Sequence, residues 1–444
     1  MAANIMTGDG RPSPAPVATF EEATYRKVAW RLIPFLLICY VVAYLDRVNV
    51  GFAKLQMLSD LKFSETVYGL GSGIFFIGYF IFEIPSNVIL HRVGARVWIA
   101  RIMISWGVLS ACMMFVSSEW SFYIIRFLLG AAEAGFFPGI ILYLTYWYPA
   151  QRRSRMVAMF MTAVAISGVI GGPLSGWILK DFGGLNGWAG WQWMFLIEGI
   201  PSIVIGIIVL FYLDDRIQHA KWLSSEEKSL LERNIAADNA HKVEESVMTV
   251  LTKGRVWMMA LIYFSFVMGL YGISFWLPTI IKQTGVSNPL TIGLLSAIPW
   301  TCAVIAMVLI ARRSDRTGER RFHIAIPAIL GAVGLLLSVL WRNDVTLAMA
   351  ALSLATMGIM TSIPLFWSMP TAMLAGTGAA AGIALVNSLG NLAGFVSPYA
   401  VGWLKDATST TNSGMYLLAA SLVVGAILTL MVPAKLVSDP NRIA

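Results

Sequence analysis

The fold of this chain is decided by two short polar stretches that share one pattern, Asn87-Val-Ile-Leu-His91-Arg92-Val-Gly94-Ala-Arg96 and Ala311-Arg-Arg-Ser-Asp315-Arg316-Thr-Gly318-Glu-Arg320. Both follow a long apolar run and fit the frame x4-(Asp/His)-Arg-x-Gly-x-Arg. A second pair recurs at almost the same separation, Gly176-Trp177-Ile-Leu-Lys180-Asp181 and Gly402-Trp403-Leu-Lys405-Asp406. Two independent motifs repeated at one spacing indicate that the chain contains one structural unit twice.

The composition indicates that these units fold in lipid and not in water. The 444 residues are 57% hydrophobic and 13% charged, and the mean hydropathy is +0.72. A soluble domain has about 45–50% apolar and about 25% charged residues. We therefore exclude the soluble, disordered and nucleic-acid-binding classes, despite a pI of 9.4. Three cysteines far apart in apolar runs also argue against a disulfide framework.

A membrane helix needs about 20 mostly apolar residues, and the sequence predicts twelve such spans. They are spans 1 to 12 in chain order, at 29–50, 67–89, 97–116, 121–148, 156–179, 192–213, 255–281, 290–311, 322–341, 345–368, 376–403 and 413–433. We predict a disordered cytoplasmic tail (1–28), an N-terminal six-helix bundle (29–213), a cytoplasmic linker (214–254), a C-terminal six-helix bundle (255–433) and a cytoplasmic tail (434–444). Within the linker, Ser224 to Glu227 form a capping-box pattern before a polar helix.

The basic residues predict the orientation. With both termini on one side, that side holds 24 of the 32 Lys and Arg residues, and the opposite loops hold six, including Lys54 and Lys405. Cytoplasmic loops carry the excess of basic residues, so we expect both termini in the cytoplasm. The net charge of +8 then reports topology and implies no nucleic-acid partner. The polar start of the chain lacks the apolar core of a cleavable signal peptide.

The repeated Asp-Arg-x-Gly-x-Arg loops resemble those of the major facilitator superfamily. Two further stretches resemble its anion:cation symporter family, in the branch of tartrate, 4-hydroxyphenylacetate and phthalate permeases. They are Tyr44-Leu-Asp46-Arg47-Val-Asn49-Val-Gly51 in span 1 and Arg126-Phe-Leu-Leu-Gly130-Ala-Ala-Glu133-Ala-Gly135-Phe-Phe-Pro138-Gly139 in span 4. The resemblance implies an all-α integral membrane protein of a bacterial inner membrane, with twelve helices in two parallel six-helix repeats.

The resemblance also assigns a gating role to the repeated loops. The residues concerned are His91, Arg92, Arg96, Asp315, Arg316 and Arg320. In the superfamily pattern an acid helps to latch the cytoplasmic gate, and Asp315 retains it. His91 replaces that acid in the first loop, so we expect unequal gating charge between the halves.

Charges within the spans mark where chemistry can occur, because an ionisable group at mid-membrane costs about 2.5–3.5 kcal/mol even on lenient scales. Apart from Arg31, Arg101 and Arg255 near the span ends that are counted with the cytoplasmic side, they all lie in the first half: Asp46, Arg47, Glu83, Arg126, Glu133 and Glu198. Arg126 and Glu133 are seven residues apart and share one helix face. The resemblance places spans 1 and 4 at a central cavity.

We expect Arg47 and Arg126 to bind a substrate anion, and Glu133 and Asp46 to carry the coupling proton. Arginine forks onto a carboxylate in two parallel hydrogen bonds. The alternative for each arginine–carboxylate pair is a static ion pair that fixes helix packing. Glu83 and Glu198 lie near span ends, where we expect them to brace neighbouring helices.

The second half would supply the neutral side of the pocket. Candidate binding residues there are Tyr271 and Trp276 in span 7 and Asn387 and Asn391 in span 11, together with Tyr79 of span 2. The two asparagines share one helix face, and they could bind substrate or hold helices together.

These observations favour proton-coupled symport of a small organic carboxylate by alternating access. An antiporter or efflux pump of the same fold remains the alternative, because Gly168-x-x-Gly171-Gly172-Pro173-x-x-Gly176 partly matches a motif of superfamily antiporters. A receptor or membrane enzyme is disfavoured, since the sequence has no Walker, His-Glu-x-x-His or Gly-x-Ser-x-Gly motif. We expect no enzymatic activity, no metal, no cofactor other than the proton, and a monomer in the bilayer.

Overall fold

The computed structural model describes residues 15–240, 252–373 and 376–437. Within these residues the regular secondary structure is helical, without a strand. The first half contains α1 (Ala15–Val48), α2 (Val50–Leu61), α3 (Glu65–Val93), α4 (Ala95–Cys112), α5 (Glu119–Glu133), α6 (Phe136–Thr145), α7 (Ala150–Met161), α8 (Ala163–Asp181) and α9 (Gly190–Tyr212). The linker forms α10 (Ser225–Ala240). The second half contains α11 (Gly254–Gln283), α12 (Pro289–Thr317), α13 (Arg321–Leu340), α14 (Val345–Phe366), α15 (Ser368–Met373), α16 (Gly376–Asn391), α17 (Ala393–Thr408) and α18 (Asn412–Met431).

The helices reproduce the predicted spans. Eleven helical segments of the described residues are long and apolar enough to cross a membrane, and they cover spans 1 to 10 and span 12. Span 11 corresponds to α16 and α17, of 16 residues each, so neither reaches membrane length alone. Spans 1, 4, 5 and 10 are likewise each built from two consecutive helices. In span 4 the break lies at Gly135, whose φ of +85° suits glycine.

The pattern of helix contacts confirms the internal repeat. In the first half, span 1 packs on spans 5 and 6, span 2 on span 4, and span 3 on spans 4 and 6. In the second half the same contacts recur with every number raised by six. The molecule is therefore built of two six-helix units of one design, as parallel repeats require.

The two halves meet along spans 2 and 11 and along spans 5 and 8, in the part of the molecule that the charge bias predicts to be outer. Glycines allow the backbones to approach closely there. A Cβ atom on Gly69 would lie 2.4 Å from the carbonyl oxygen of Pro398, and one on Gly293 would lie 2.1 Å from that of Gly172. These two junctions are equivalent in the repeat, so the outer parts of the halves are packed against each other.

The N-terminal end of span 1 differs from its prediction. Helix α1 begins at Ala15, so residues 15–28 of the predicted disordered tail are helical. This stretch contacts the linker, where Lys27 forms a 2.8 Å ion pair with Glu227 of α10. The capping box is confirmed, since Glu227 N–H donates to the Ser224 hydroxyl and Ser224 N–H donates to the Glu227 carboxylate. Residues 1–14, and 241–251 of the linker, lie outside the described residues.

Candidate functional site

A cavity of about 50 Å³ lies between the two halves, with room for a few water-sized groups. Its lining comes from both repeats and includes five of the predicted binding residues, Arg47, Tyr79, Tyr271, Asn387 and Asn391. It also includes three tyrosines that sequence reasoning missed, Tyr40, Tyr44 and Tyr263. Tyr40 and Tyr44 precede Arg47 on α1, and their four-residue spacing could have indicated a shared face. Arg126 and Trp276 are not part of the lining.

Arg47 is the one cation among the residues that line this cavity. Its Nη2 donates to Glu133 Oε1 and its Nη1 donates to the Tyr271 hydroxyl at 3.1 Å. Arg47 is 6% exposed and Glu133 is 1% exposed. The Nε–H of Arg47 is buried without an acceptor among the described residues. The cavity thus contains an arginine that is almost fully shielded from solvent. One carboxylate and one phenol accept hydrogen bonds from it, and its Nε–H has no acceptor among the described residues.

Aromatic rings complete the surroundings of Arg47. Its guanidinium lies 5.6 Å from the ring centre of Tyr44 and 5.5 Å from that of Tyr79, within the range of cation–π attraction. The Tyr44 hydroxyl is 3.2 Å from the Ser274 hydroxyl of the second half. Tyr44 and Tyr271 therefore tie the arginine's surroundings to both repeats.

Glu83 bonds across the halves at another edge of the cavity. Its carboxylate accepts hydrogen bonds from the Asn387 amide at 3.1 Å and from the Ser388 hydroxyl at 3.2 Å. The bracing contact expected for Glu83 is present, and its partner is a predicted substrate-binding residue. Asn387 is thus engaged with protein while it lines the cavity.

The pairing of Arg126 differs from the expectation. Its guanidinium donates to the backbone carbonyls of Gly71 and Ser72 of span 2, both at 3.2 Å, and the residue is fully buried. Glu133 pairs with Arg47 instead. The seven-residue spacing places Arg126 and Glu133 on one face but about 10 Å apart along the helix. Arg47 of span 1 lies closer to Glu133 than Arg126 does.

Asp46 also lies away from the cavity, although it is adjacent to Arg47 in the chain. Its carboxylate accepts hydrogen bonds from Trp106 Nε1 at 3.0 Å, from the Ser110 hydroxyl at 2.8 Å and from the Ser202 hydroxyl. These donors belong to spans 3 and 6, inside the N-terminal half. Span 1 therefore presents Arg47 to the cavity and Asp46 to the interior of its own bundle.

The described bonds of the predicted gating loops do not cross between the two halves. His91 Nδ1 lies 3.2 Å from the Tyr146 hydroxyl, and the Arg96 N–H donates to Asp215 at 2.8 Å. Asp315 forms a 2.7 Å ion pair with Arg320. Arg92 and Arg316 are exposed. In the first half an acid from the linker thus contacts the arginine of the loop motif, near the position where His91 replaces aspartate.

Sequence reasoning missed a charged cluster at the outer junction, which we name the outer latch (Lys54, Glu65, Trp276, Lys405 and Asp406). Lys54 and Lys405 had been assigned to loops, but Lys54 is in α2 and is only 4% exposed. Glu65 forms an ion pair with Lys54 at 2.6 Å and accepts a hydrogen bond from Lys405 of the second half. The Lys54 ammonium lies 3.3 Å from the ring centre of Trp276. Trp276 therefore belongs to the latch.

Asp406 holds the start of α3 across the junction. It accepts hydrogen bonds from the Thr66 N–H at 2.7 Å, from the Thr66 hydroxyl at 2.5 Å and from the Glu65 N–H at 3.3 Å. Partial burial raises the pKa of the Asp406 carboxyl, but these hydrogen bonds outweigh it, so the pKa lies below its usual range. A carboxylate of one half thus satisfies free amides at a helix start of the other.

Neutralising the latch is expected to open the outer junction. Each of the substitutions Asp406→Asn and Lys405→Met is combined with Ser274→Cys, which introduces a thiol for a membrane-impermeant maleimide. We expect each to raise the labelling rate by about fivefold, because the loss of one hydrogen bond costs about 1 kcal/mol. The labelling is measured with the three native cysteines replaced. Lys180→Met, at the equivalent position of the first repeat, is the matched control, because Lys180 is exposed and contacts its neighbour Asp181 at 3.9 Å. Equal labelling in all variants would contradict the latch.

Comparison with known proteins is consistent with this architecture. Residues 36–398 match the family model described as Major Facilitator Superfamily. A putative tartrate transporter of Agrobacterium vitis is 51% identical, over 93% of this chain and 91% of that protein. The putative metabolite transport protein NicT of Pseudomonas putida is 49% identical, over 94% of this chain and 96% of that protein.

A solved structure resembles the fold with little sequence identity. It is a bacterial homologue of the human lysosomal transporter Spinster in an inward-facing and occupied conformation. The TM-score is 0.73 at 16% identity, with 92% of this chain and 98% of that chain covered. The repeated helix contacts, the cavity between the halves and the family match lead to one conclusion: this chain is a multi-pass membrane transporter, not an enzyme, and belongs to the Major Facilitator Superfamily.

Proposed function

We propose that this protein is a proton-coupled symporter that takes up a small organic carboxylate across a bacterial inner membrane. The observation that carries the proposal is the Arg47–Glu133 pair, the buried cation of the cavity neutralised by a buried carboxylate. A buried arginine is stabilised by an anion at its guanidinium, and for Arg47 that anion is Glu133. A substrate carboxylate can supply that anion in place of Glu133.

The exchange of partners explains the coupling. When a substrate carboxylate takes the guanidinium, Glu133 loses its counter-ion in a buried site. A buried carboxylate without a partner favours its protonated form. Glu133 then binds a proton, so substrate and proton each increase the other's affinity. Asp46, inside the bundle, is a second candidate for the coupling proton.

The cavity chemistry favours a short acid with hydroxyl or aromatic groups. Five tyrosines line it, Tyr40, Tyr44, Tyr79, Tyr263 and Tyr271. Their hydroxyls can bond to a hydroxy acid and their rings can stack on an aromatic acid. A relative at 51% identity is named a putative tartrate transporter, which supports an organic acid and membership of the anion:cation symporter family.

The outer latch supports alternating access around this cavity. In the conformation described here the outer junctions are closed by glycine packing and by ion pairs between the halves. Transport would require these contacts to separate while the cytoplasmic side closes, as in rocking of two repeats about a central site. The basic-residue bias supports a cytoplasmic location of both termini in this proposal.

An antiporter of the same fold is the second candidate. The glycine-rich string of span 5 that suggests it forms the junction with span 8, where a Cβ atom on Gly176 would lie 2.5 Å from the Pro289 carbonyl oxygen. The string thus has a packing role that either transport mode can use. The direction of proton flow decides between the two modes.

The test is uptake into proteoliposomes of purified protein, with tartrate, 4-hydroxyphenylacetate, phthalate and galactonate as substrates. Each is measured with an inward proton gradient, with an outward gradient and with none. The proposal predicts accumulation of one acid above equilibrium with the inward gradient alone. Accumulation with the outward gradient alone would establish antiport. Binding without flux in any condition would contradict both transport modes.

A further inference from the structure

Glu198 of α9 is a buried carboxyl that the cavity does not use. It is 3% exposed, and its Oε1 accepts a 2.6 Å hydrogen bond from the Ser175 hydroxyl of span 5. Its Oε2 is buried and has no hydrogen-bond partner among the described residues. The bracing contact expected from the sequence accounts for one oxygen and leaves the other unexplained.

Asn49 lies beside Glu198, close enough for its side-chain amide to act on the carboxyl as a hydrogen-bond donor. It is 2% exposed, and neither its amide oxygen nor its amide nitrogen makes a hydrogen bond of good geometry among the described residues. Buried polar groups in native proteins are nearly always satisfied. The Asn49 amide can donate to the charged Glu198 carboxylate, and its oxygen can accept from the protonated carboxyl, so Asn49 can serve either protonation state.

No cation neutralises this part of the bundle in the part of the chain that the structure describes. Asp46 is the titratable group that acts on Glu198, and its own partners are the neutral donors Trp106, Ser110 and Ser202. Ser202 lies one helical turn after Glu198 on α9, so both carboxyls contact the same stretch of span 6. Two like charges buried together without a counter-ion cannot both be ionised at reasonable cost.

We propose that Glu198 is a proton-binding residue of the transport cycle and that it forms, with Asp46, one shared proton site inside the N-terminal half. This inference rests on the proposed proton coupling and extends it to a residue outside the cavity. Uptake forms an O–H bond on Glu198 Oε2 as the O–H bond of a hydronium ion breaks. Release to water on the other side reverses both changes.

The chain offers a direct link from this site to the substrate site. Asp46 and Arg47 are consecutive, and Asn49 follows two residues later on the same helical run, where its N–H donates to the Leu45 carbonyl oxygen at 2.9 Å. Asn49 itself faces Glu198. When Arg47 shifts toward substrate, its neighbours Asp46 and Asn49 move with it. Substrate binding at Arg47 and proton binding at the interior carboxyls are therefore coupled through one segment of span 1.

Glu198→Gln in proteoliposomes tests the inference. The amide retains the oxygen that accepts from Ser175 and supplies a donor for Asn49, so it mimics the protonated state. We expect substrate counterflow within about twofold of wild type and a loss of proton-driven accumulation of at least about tenfold, the factor that corresponds to about 1.4 kcal/mol. Adding Asp46→Asn to Glu198→Gln should reduce proton-driven accumulation little further, because the effects of substitutions within one site are not additive.

Glu119→Gln is the matched control, since Glu119 is exposed at the start of α5. Wild-type accumulation by Glu198→Gln would overturn the inference and leave the proposed function intact. A wild-type protein without any proton dependence would overturn the proposed function itself. Equal losses in counterflow and accumulation would show a structural role for Glu198 and overturn the inference.

A second variant applies if Glu198→Gln does not fold. Ser175→Ala removes the hydrogen bond that stabilises the charged form of Glu198 and changes the structure little. Because the charged form becomes less favourable, the midpoint of the pH profile of uptake should move to higher pH. An unchanged pH profile with normal activity would overturn the inference.

Discussion

Arg47→Gln is expected to abolish substrate binding, with a loss of affinity of at least about a hundredfold. Truncating one partner of a buried charge pair costs about 2–5 kcal/mol, and Arg47 is the cavity's cation. The glutamine can still bond to Glu133, so folding should survive. Arg47→Lys retains the charge but not the two-pronged geometry, and it should show a smaller loss. Equilibrium binding of the transported acid to purified protein measures both variants.

Arg126→Gln provides the contrast. The guanidinium of Arg126 is held by backbone carbonyls of span 2 and lies outside the cavity lining. We therefore expect affinity within about threefold of wild type, the scale of a distant substitution without shared partners. Equal losses of affinity in Arg47→Gln and Arg126→Gln would contradict the assignment of the anion site to Arg47 alone.

Glu133→Gln is expected to uncouple transport from the proton gradient. Glutamine retains an oxygen that accepts from Arg47 but cannot take a proton. Without the carboxylate, Arg47 has no competing anion, so substrate should bind at least as tightly as in wild type and with weaker dependence on pH. Counterflow exchange should persist, while accumulation driven by an inward proton gradient should fall at least about tenfold, which equals about 1.4 kcal/mol.

The comparison between gradient-driven uptake and counterflow in the same vesicles makes this test specific. A variant that merely folded poorly would lose both activities in proportion. Normal accumulation by Glu133→Gln would transfer the coupling role to the interior carboxyls, Asp46 and Glu198. Loss of both activities in folded protein would identify Glu133 as a packing residue, in agreement with the static ion-pair alternative.

The sequence predicts the fold well because its signals are local or repeated. Apolar runs give the spans, and the paired motifs ending at Arg96 and Arg320 give the internal repeat. The capping box at Ser224 is likewise predictable from the sequence, because its two partners are three residues apart. Span 1 was predicted less well. Its helices extend from Ala15 to Leu61, and polar residues at the two ends contact the linker, Glu65 of span 2 and Trp276 of the second half.

The side-chain pairings of the site could not be predicted from the sequence. Helical spacing places Arg126 and Glu133 on one face, but it does not reveal which neighbouring helix supplies the nearer cation. Lys54 was counted as a loop residue because charge alone predicts exposure. In the structure its ammonium is buried between Glu65 and the ring of Trp276. Pairings between helices distant in sequence require the packing to be known.

The most direct test of the central claim is a count of protons taken up when substrate binds. Purified protein in weakly buffered solution near neutral pH is titrated with the transported acid, and the change in pH is recorded. We predict net uptake of about one proton per bound substrate, since Glu133 must be protonated when substrate displaces it from Arg47. Glu133→Gln should bind the acid with little uptake. Substrate binding by the wild-type protein without proton uptake would contradict the exchange of partners at Arg47.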